Sequence, residues 1–263
     1  MSVVVRTGFS GLNQPINQPR IGYEAPDATA TATSSASGYD PNWVTDGETW
    51  SVWRAGSASS TLTVSFASQV VSYAGLAAHN LGSIGATVTC KVGGLVIGSL
   101  SPQDDSAIMF LFFARETTNV SFEITGGVAA VAVAQAGRVL EMPRLSVFTG
   151  LPISESKQVS YRHQQSIRGD VLGRAVEGAE LAFELTINNL PETFREAAGA
   201  VSWKGLLRHI DRTGPFFIAA KPVSYPDDVA YVQATERPRF SRETPNRLLS
   251  GSVTFNCKGY AAP

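Results

Sequence analysis

Apolar and polar residues alternate one for one in segment after segment of this chain. Leu62, Val64 and Phe66 alternate with Thr61, Thr63 and Ser65, and Val88, Cys90 and Val92 with Thr87, Thr89 and Lys91. Val120, Phe122 and Ile124 alternate in the same way with Asn119, Ser121 and Glu123. Successive side chains of an extended backbone point to opposite faces, so this period puts one face of each segment in a core and the other in water. The run Ile108–Phe113 is apolar on both faces, as a central strand requires, and Gly93-Gly94 and Gly126-Gly127 punctuate the segments. Short strands at this spacing predict a jelly-roll β-sandwich over residues 23–142.

The rest of the chain reads differently. Residues 1–22 carry Pro15 and Pro19 among Asn and Gln, and predict an irregular N-terminal arm. The Ala/Thr alternation from Ala28 suits an edge strand. The alternation breaks at Pro143 and Pro152, which places a boundary near residues 142–152. Residues 143–263 predict a second, β-rich α+β domain with one main helix at about 190–212. Asn189 and Glu192 resemble a capping box, Leu206, Leu207 and Ile210 form the helix's buried stripe, and Gly214-Pro215 stops it. Phe216 then opens a strand, as the first of a structural apolar run. The fold class is therefore mostly β: a sandwich, then a mixed domain.

Charge narrows the function classes. Lys plus Arg number 21 against 22 Asp plus Glu, a formal net charge of −1, so no global field gathers polyanions and no nucleic-acid partner is expected. No apolar run reaches the ~20 residues that span a bilayer, so membrane insertion is not expected. Cys90 and Cys257 predict two buried, reduced thiols, and the N-terminus lacks the pattern of a signal peptide, which predicts cytoplasmic synthesis. His79, His163 and His209 have no metal-like spacing, and no catalytic or phosphate-binding motif occurs; no catalytic residue and no enzyme is predicted. Arg168-Gly169-Asp170 reads as a turn, Asn119-Val120-Ser121 as strand, and the pairs Asp104-Asp105 and Asp227-Asp228 as solvated turns.

One segment carries chemistry. Trp43, Asp46, Gly47, Thr49, Trp50, Trp53 and Arg54 fall within a dozen residues and hold three of the four Trp. Such rings either plug the end of a sandwich or stack on the apolar face of a sugar, with Asp and Arg supplying directed hydrogen bonds. Trp43, preceded by Pro41 and Asn42, is the candidate exposed ring, with Arg54 and Asp46 as polar contacts. Trp50 and Trp53, three residues apart, are predicted structural.

Taken in order, Trp43-Val-Thr-Asp-Gly47, Trp53-Arg-Ala, Leu62-Thr-Val-Ser-Phe66 and Gly75-Leu-Ala-Ala-His-Asn-Leu-Gly82 resemble discoidin-type, galactose-binding-like domains over about residues 22–140. That resemblance implies sugar binding through loops, a structural role for Asn80, and a calcium ion at Asp46, although Glu48 and Trp50 stand where small polar residues are common. No other cofactor is implied. Leu140-Glu-Met-Pro-Arg144, Pro215-Phe-Phe217, Tyr225-Pro-Asp-Asp228 and Leu249-Ser-Gly-Ser-Val-Thr-Phe255 are similar to minor tail proteins of tailed bacteriophages. This implies a structural component of a virion tail tip or baseplate, made in the bacterial cytoplasm. Its C-terminal domain would assemble with other tail proteins and with copies of itself as a ring or trimer, and its sandwich would face host-surface glycans. The alternatives are a free carbohydrate-binding module or lectin, and a glycan-degrading enzyme with an appended binding domain.

Overall fold

The alternating segments form strands in a computed structural model that describes residues 2–5, 15–148, 152–165, 167–168, 170–199, 201–212, 214–242 and 250–261. The first half holds β1 (Val3–Val5), β2 (Arg20–Glu24), β3 (Ala28–Ala32), β4 (Trp53–Arg54) and β5 (Ser59–His79). It continues with β6 (Thr87–Val92), β7 (Leu95–Leu100), β8 (Ile108–Thr125) and β9 (Ala130–Glu141). The second half holds β10 (Ser146–Phe148), β11 (Lys157–Gln165), β12 (Val171–Pro191), α1 (Glu192–Glu196) and α2 (Trp203–Asp211). It closes with β13 (Phe216–Lys221), β14 (Tyr225–Ala234), β15 (Phe240–Arg242) and β16 (Ser250–Tyr260). The fold is mostly β, and among the described residues the pairing is antiparallel except at β1.

The long strands β5 and β8 pair from Ser59↔Thr125 to Leu76↔Ile108, with register shifts near Ser65/Gln69 and Val71/Tyr73. On one side of those bulges the pair joins β3, β6 and β7; on the other it joins β1 and β9. Bulges bend a strand and raise its twist, so one ribbon serves both layers of the sandwich. Leu62, Val64, Val88, Cys90, Val120 and Phe122 from one layer meet Leu76, Phe110, Phe112 and Val131 from the other in the first core.

Two expectations need correction. Part of the lead at residues 1–22 is strand: Val3–Val5 pairs in parallel with Met109–Leu111, and β2 pairs with β9 on one edge and β13 on the other. Three β-branched valines beside an open strand edge, and an apolar Ile21 buried with Gly22, outweigh the prolines around them. The one main helix is α2, shorter than the expected 190–212 span: Ala197 is extended and Gly199 sits at a φ of 150°, which sets the short α1 apart from it. Pro191, not Asn189, occupies the N-cap of α1 and makes no side-chain cap bond. Leu206 and Ile210 are buried on α2, while Leu207 is only partly buried against the same cluster.

Phe216, Ile218, Leu185, Ile187, Trp203 and Phe255 lie in a second core. A third cluster joins the halves: Tyr73, Met109 and Leu111 pack with Phe217, Val229 and Tyr231. Glycine makes that contact possible. A Cβ on Gly22 would lie 2.6 Å from the Tyr73 ring, and one on Gly75 would lie 2.8 Å from the Phe217 ring. Both cysteines are free and buried, and burial raises both thiol pKa values. Among the described residues no helix is long and apolar enough to cross a membrane.

Candidate functional site: the aromatic loop

The segment between β3 and β4 is held by its own polar side chains. Asp40 accepts from Asn42 N at 2.9 Å and caps a short turn of 3-10 helix, Pro41–Thr45. Asn42 Oδ1 accepts from Ala30 N at 3.0 Å, which ties that turn to β3. Val44, fully buried, enters the first core beneath it. The segment closes at Ala36, whose N–H donates to Arg54 O and whose carbonyl accepts from Tyr39 N.

This scaffold sorts the tryptophans. Trp53 is fully buried and its indole N–H donates to Ser35 Oγ at 3.0 Å. Trp43 is 41% exposed, and Tyr39 is also exposed. Trp50, expected in the core, is 79% exposed: this corrects the sequence reading. Its position follows from Asp46, whose Oδ1 accepts from Glu48 N and whose Oδ2 accepts from Ser51 Oγ, each at 2.7 Å. That turn buries Ser51 and leaves its neighbour Trp50 outside. Spacing alone had no means of showing it, because the turn depends on a side-chain bond.

Asp46 thus folds the loop. Calcium needs six or more oxygen ligands, yet both Asp46 oxygens are engaged and the Gly47 carbonyl accepts from Tyr231 Oη at 2.8 Å. Among the described residues no group of three or more His, Cys, Asp or Glu is arranged to hold a metal. The turn does not fit the ion. Burial raises the pKa of Tyr231, and the nearby Glu48 and Asp46 charges add to the effect, so its hydroxyl stays a donor to Gly47.

Arg54 is exposed and its guanidinium has no protein partner among the described residues. Asn80 is structural in a specific way. Its Oδ1 accepts from Ala130 N at 2.7 Å and its Nδ2 donates to Val128 O at 3.2 Å, which latches the end of β5 to the start of β9. Phe216 and Leu207 belong to the second core. Asp228, expected in a solvated turn, is buried in β14 and accepts from Ser154 N and Oγ. Asn119–Ser121 lies within β8; Gly169 of the 168–170 tripeptide and the His163 side chain fall outside the described residues.

No protein-family model matches the chain, and no curated protein matches it. Among solved structures, chitosan-binding module 1 of a chitosanase/glucanase from Paenibacillus sp. IK-5 is similar, at 20% identity over 43% of this chain and 96% of that one, with a TM-score of 0.37. The family 32 carbohydrate-binding module of Clostridium perfringens NanJ, in complex with galactose, is 17% identical over 44% of this chain and 98% of its own, with a TM-score of 0.38. Another family 32 module from Clostridium perfringens, in complex with GalNAc-β-1,3-galactose, is 18% identical over 42% and 94%, with a TM-score of 0.36.

Proposed function

We propose that this chain is a non-catalytic carbohydrate-binding protein whose aromatic loop contacts the sugar. One observation carries the reading: the loop exposes the rings of Trp43, Trp50 and Tyr39, Arg54 at its end has no side-chain partner among the described residues, and Trp53 and Val44 anchor the loop in the core. Exposed indoles on a rigid base lose little entropy on binding and offer a flat apolar face to the C–H face of a pyranose. The arginine supplies directed donors to hydroxyl oxygens. The test is a glycan array probed with the full chain, followed by titration of any hit while tryptophan emission is recorded. The reading expects binding to defined saccharides with a change in emission; a blank array with folded protein contradicts it.

A second reading, a component of a phage tail tip, is supported by one feature of the other half. Among the described residues, Val171 to Ala179 of β12 pair only with β11, so the two strands extend as a ribbon past the sheet formed with β16. Tyr161 and Val176 are exposed on that ribbon. A two-stranded ribbon is marginal by itself and has open edges for strand addition, which suits an assembly arm. Mass spectrometry of purified virions tests it: presence at fixed copy number is expected, and absence contradicts it.

A further inference from the structure

We infer that the cleft between the aromatic loop and the end of α2 is a subsite for an acidic sugar, with Arg208 reading its carboxylate. This inference rests on the carbohydrate-binding reading above and extends it across both halves of the chain. The cleft measures about 460 Å³, room for one or two sugar rings. Thr45, Asp46 and Gly47 form one wall, and Arg208, His209 and Arg212 in the last turns of α2 form the other.

The hydrogen-bonding capacity left over in the cleft selects the ligand. Glu24 is paired with Arg138 at 2.9 Å. His209 Nε2 bonds the Pro215 carbonyl at 2.8 Å, and Tyr231 Oη is committed to Gly47. Arg208 is exposed, and its only side-chain hydrogen bond runs from Nε to Lys204 O at 3.3 Å, so its terminal amino groups have no protein partner among the described residues. Gln135 lines the same cleft, and its Oε1 is buried and without a partner among the described residues. One wall therefore offers a guanidinium, and Gln135 brings an amide oxygen to the same cleft. A ligand that satisfies both has hydroxyl donors on one side and an anion on the other, as a uronic acid does. A neutral sugar gives Arg208 only uncharged hydroxyl acceptors, which make the weaker bond.

The test titrates the full chain by calorimetry with an oligogalacturonate and with the neutral galacto-oligosaccharide of the same linkage and length. The uronate is expected to bind about tenfold tighter, the size expected of one charge-assisted pair. Arg208→Gln is expected to erase that preference. Lys204→Gln removes the same charge from the same helix outside the cleft, where Lys204 pairs with Glu196, and is expected to keep the preference. Equal binding of the two sugars by the unaltered chain, a preference that survives Arg208→Gln, or one lost equally in Lys204→Gln overturns the inference and leaves the carbohydrate reading standing. Binding of neither sugar, with no array hit, overturns both.

Discussion

Trp50 and Trp53 sit three residues apart and have opposite surroundings, so they separate stability from surface chemistry. Trp53→Ala empties a fully buried site and breaks the bond to Ser35, and is expected to cost about 3–5 kcal/mol by chemical denaturation. Trp50→Ala removes a ring that is 79% exposed and should stay within about 0.5 kcal/mol. His79 sets a pH dependence. Burial lowers its pKa to about 4, outweighing the Asp105 and Asp104 charges that raise it, so the folded chain keeps it neutral. The unfolded chain protonates it below about 6.5. Stability is therefore full above that pH and is lost as pH falls from 6.5 toward 4, by about 3 kcal/mol. Denaturation at pH 7 and pH 4.5 checks this: His79→Gln should narrow the gap between the two, and an unchanged gap would show that other groups set it.

At the scale of elements, α2 depends on a cap that sequence spacing placed elsewhere. Ser202 Oγ accepts from Gly205 N at 3.1 Å, and Tyr23 Oη of β2 both accepts from Ser202 N and donates to Ser202 O. Ser202→Ala should cost about 1 kcal/mol, and Tyr23→Phe, which strands two buried backbone groups, about 1–3 kcal/mol. Equal stability of Tyr23→Phe and the parent would remove β2 as the anchor of α2. The strands were legible because alternation is a local property of the chain: Leu62, Val64, Phe66 and Leu181, Phe183, Leu185 all face cores. The helix break at Gly199 and the turn around Asp46 were not. One depends on a backbone angle only glycine takes readily, the other on a side-chain bond to Ser51. In the candidate site, the exposed Trp43 and the free Arg54 could be anticipated from the cluster, but Arg208 and Tyr231 come from more than 150 residues away and nothing local marks them.

Across the whole molecule, β2 stitches β9 to β13, and the Tyr73–Phe217 and Phe217–Tyr231 ring contacts, at 6.3 and 4.8 Å, fill the seam. A fragment of residues 23–142 would lack β1 and most of β2 and would expose Tyr73, Met109 and Leu111 to water. The intact chain should therefore melt in a single transition, and the fragment should melt lower; two resolved transitions in calorimetry would show that the seam does not couple the halves. The seam also reaches the aromatic loop, because Tyr231 of one half holds Gly47 in the loop of the other. The central claim is that exposed rings on this loop bind sugar. Its most direct test is calorimetric titration of the array-identified saccharide into the parent chain, Trp43→Ala and Trp50→Ala, with melting temperatures measured alongside. The account predicts that at least one of the two loses about tenfold or more in affinity while both melt within a few degrees of the parent. Undiminished affinity in both variants would contradict it.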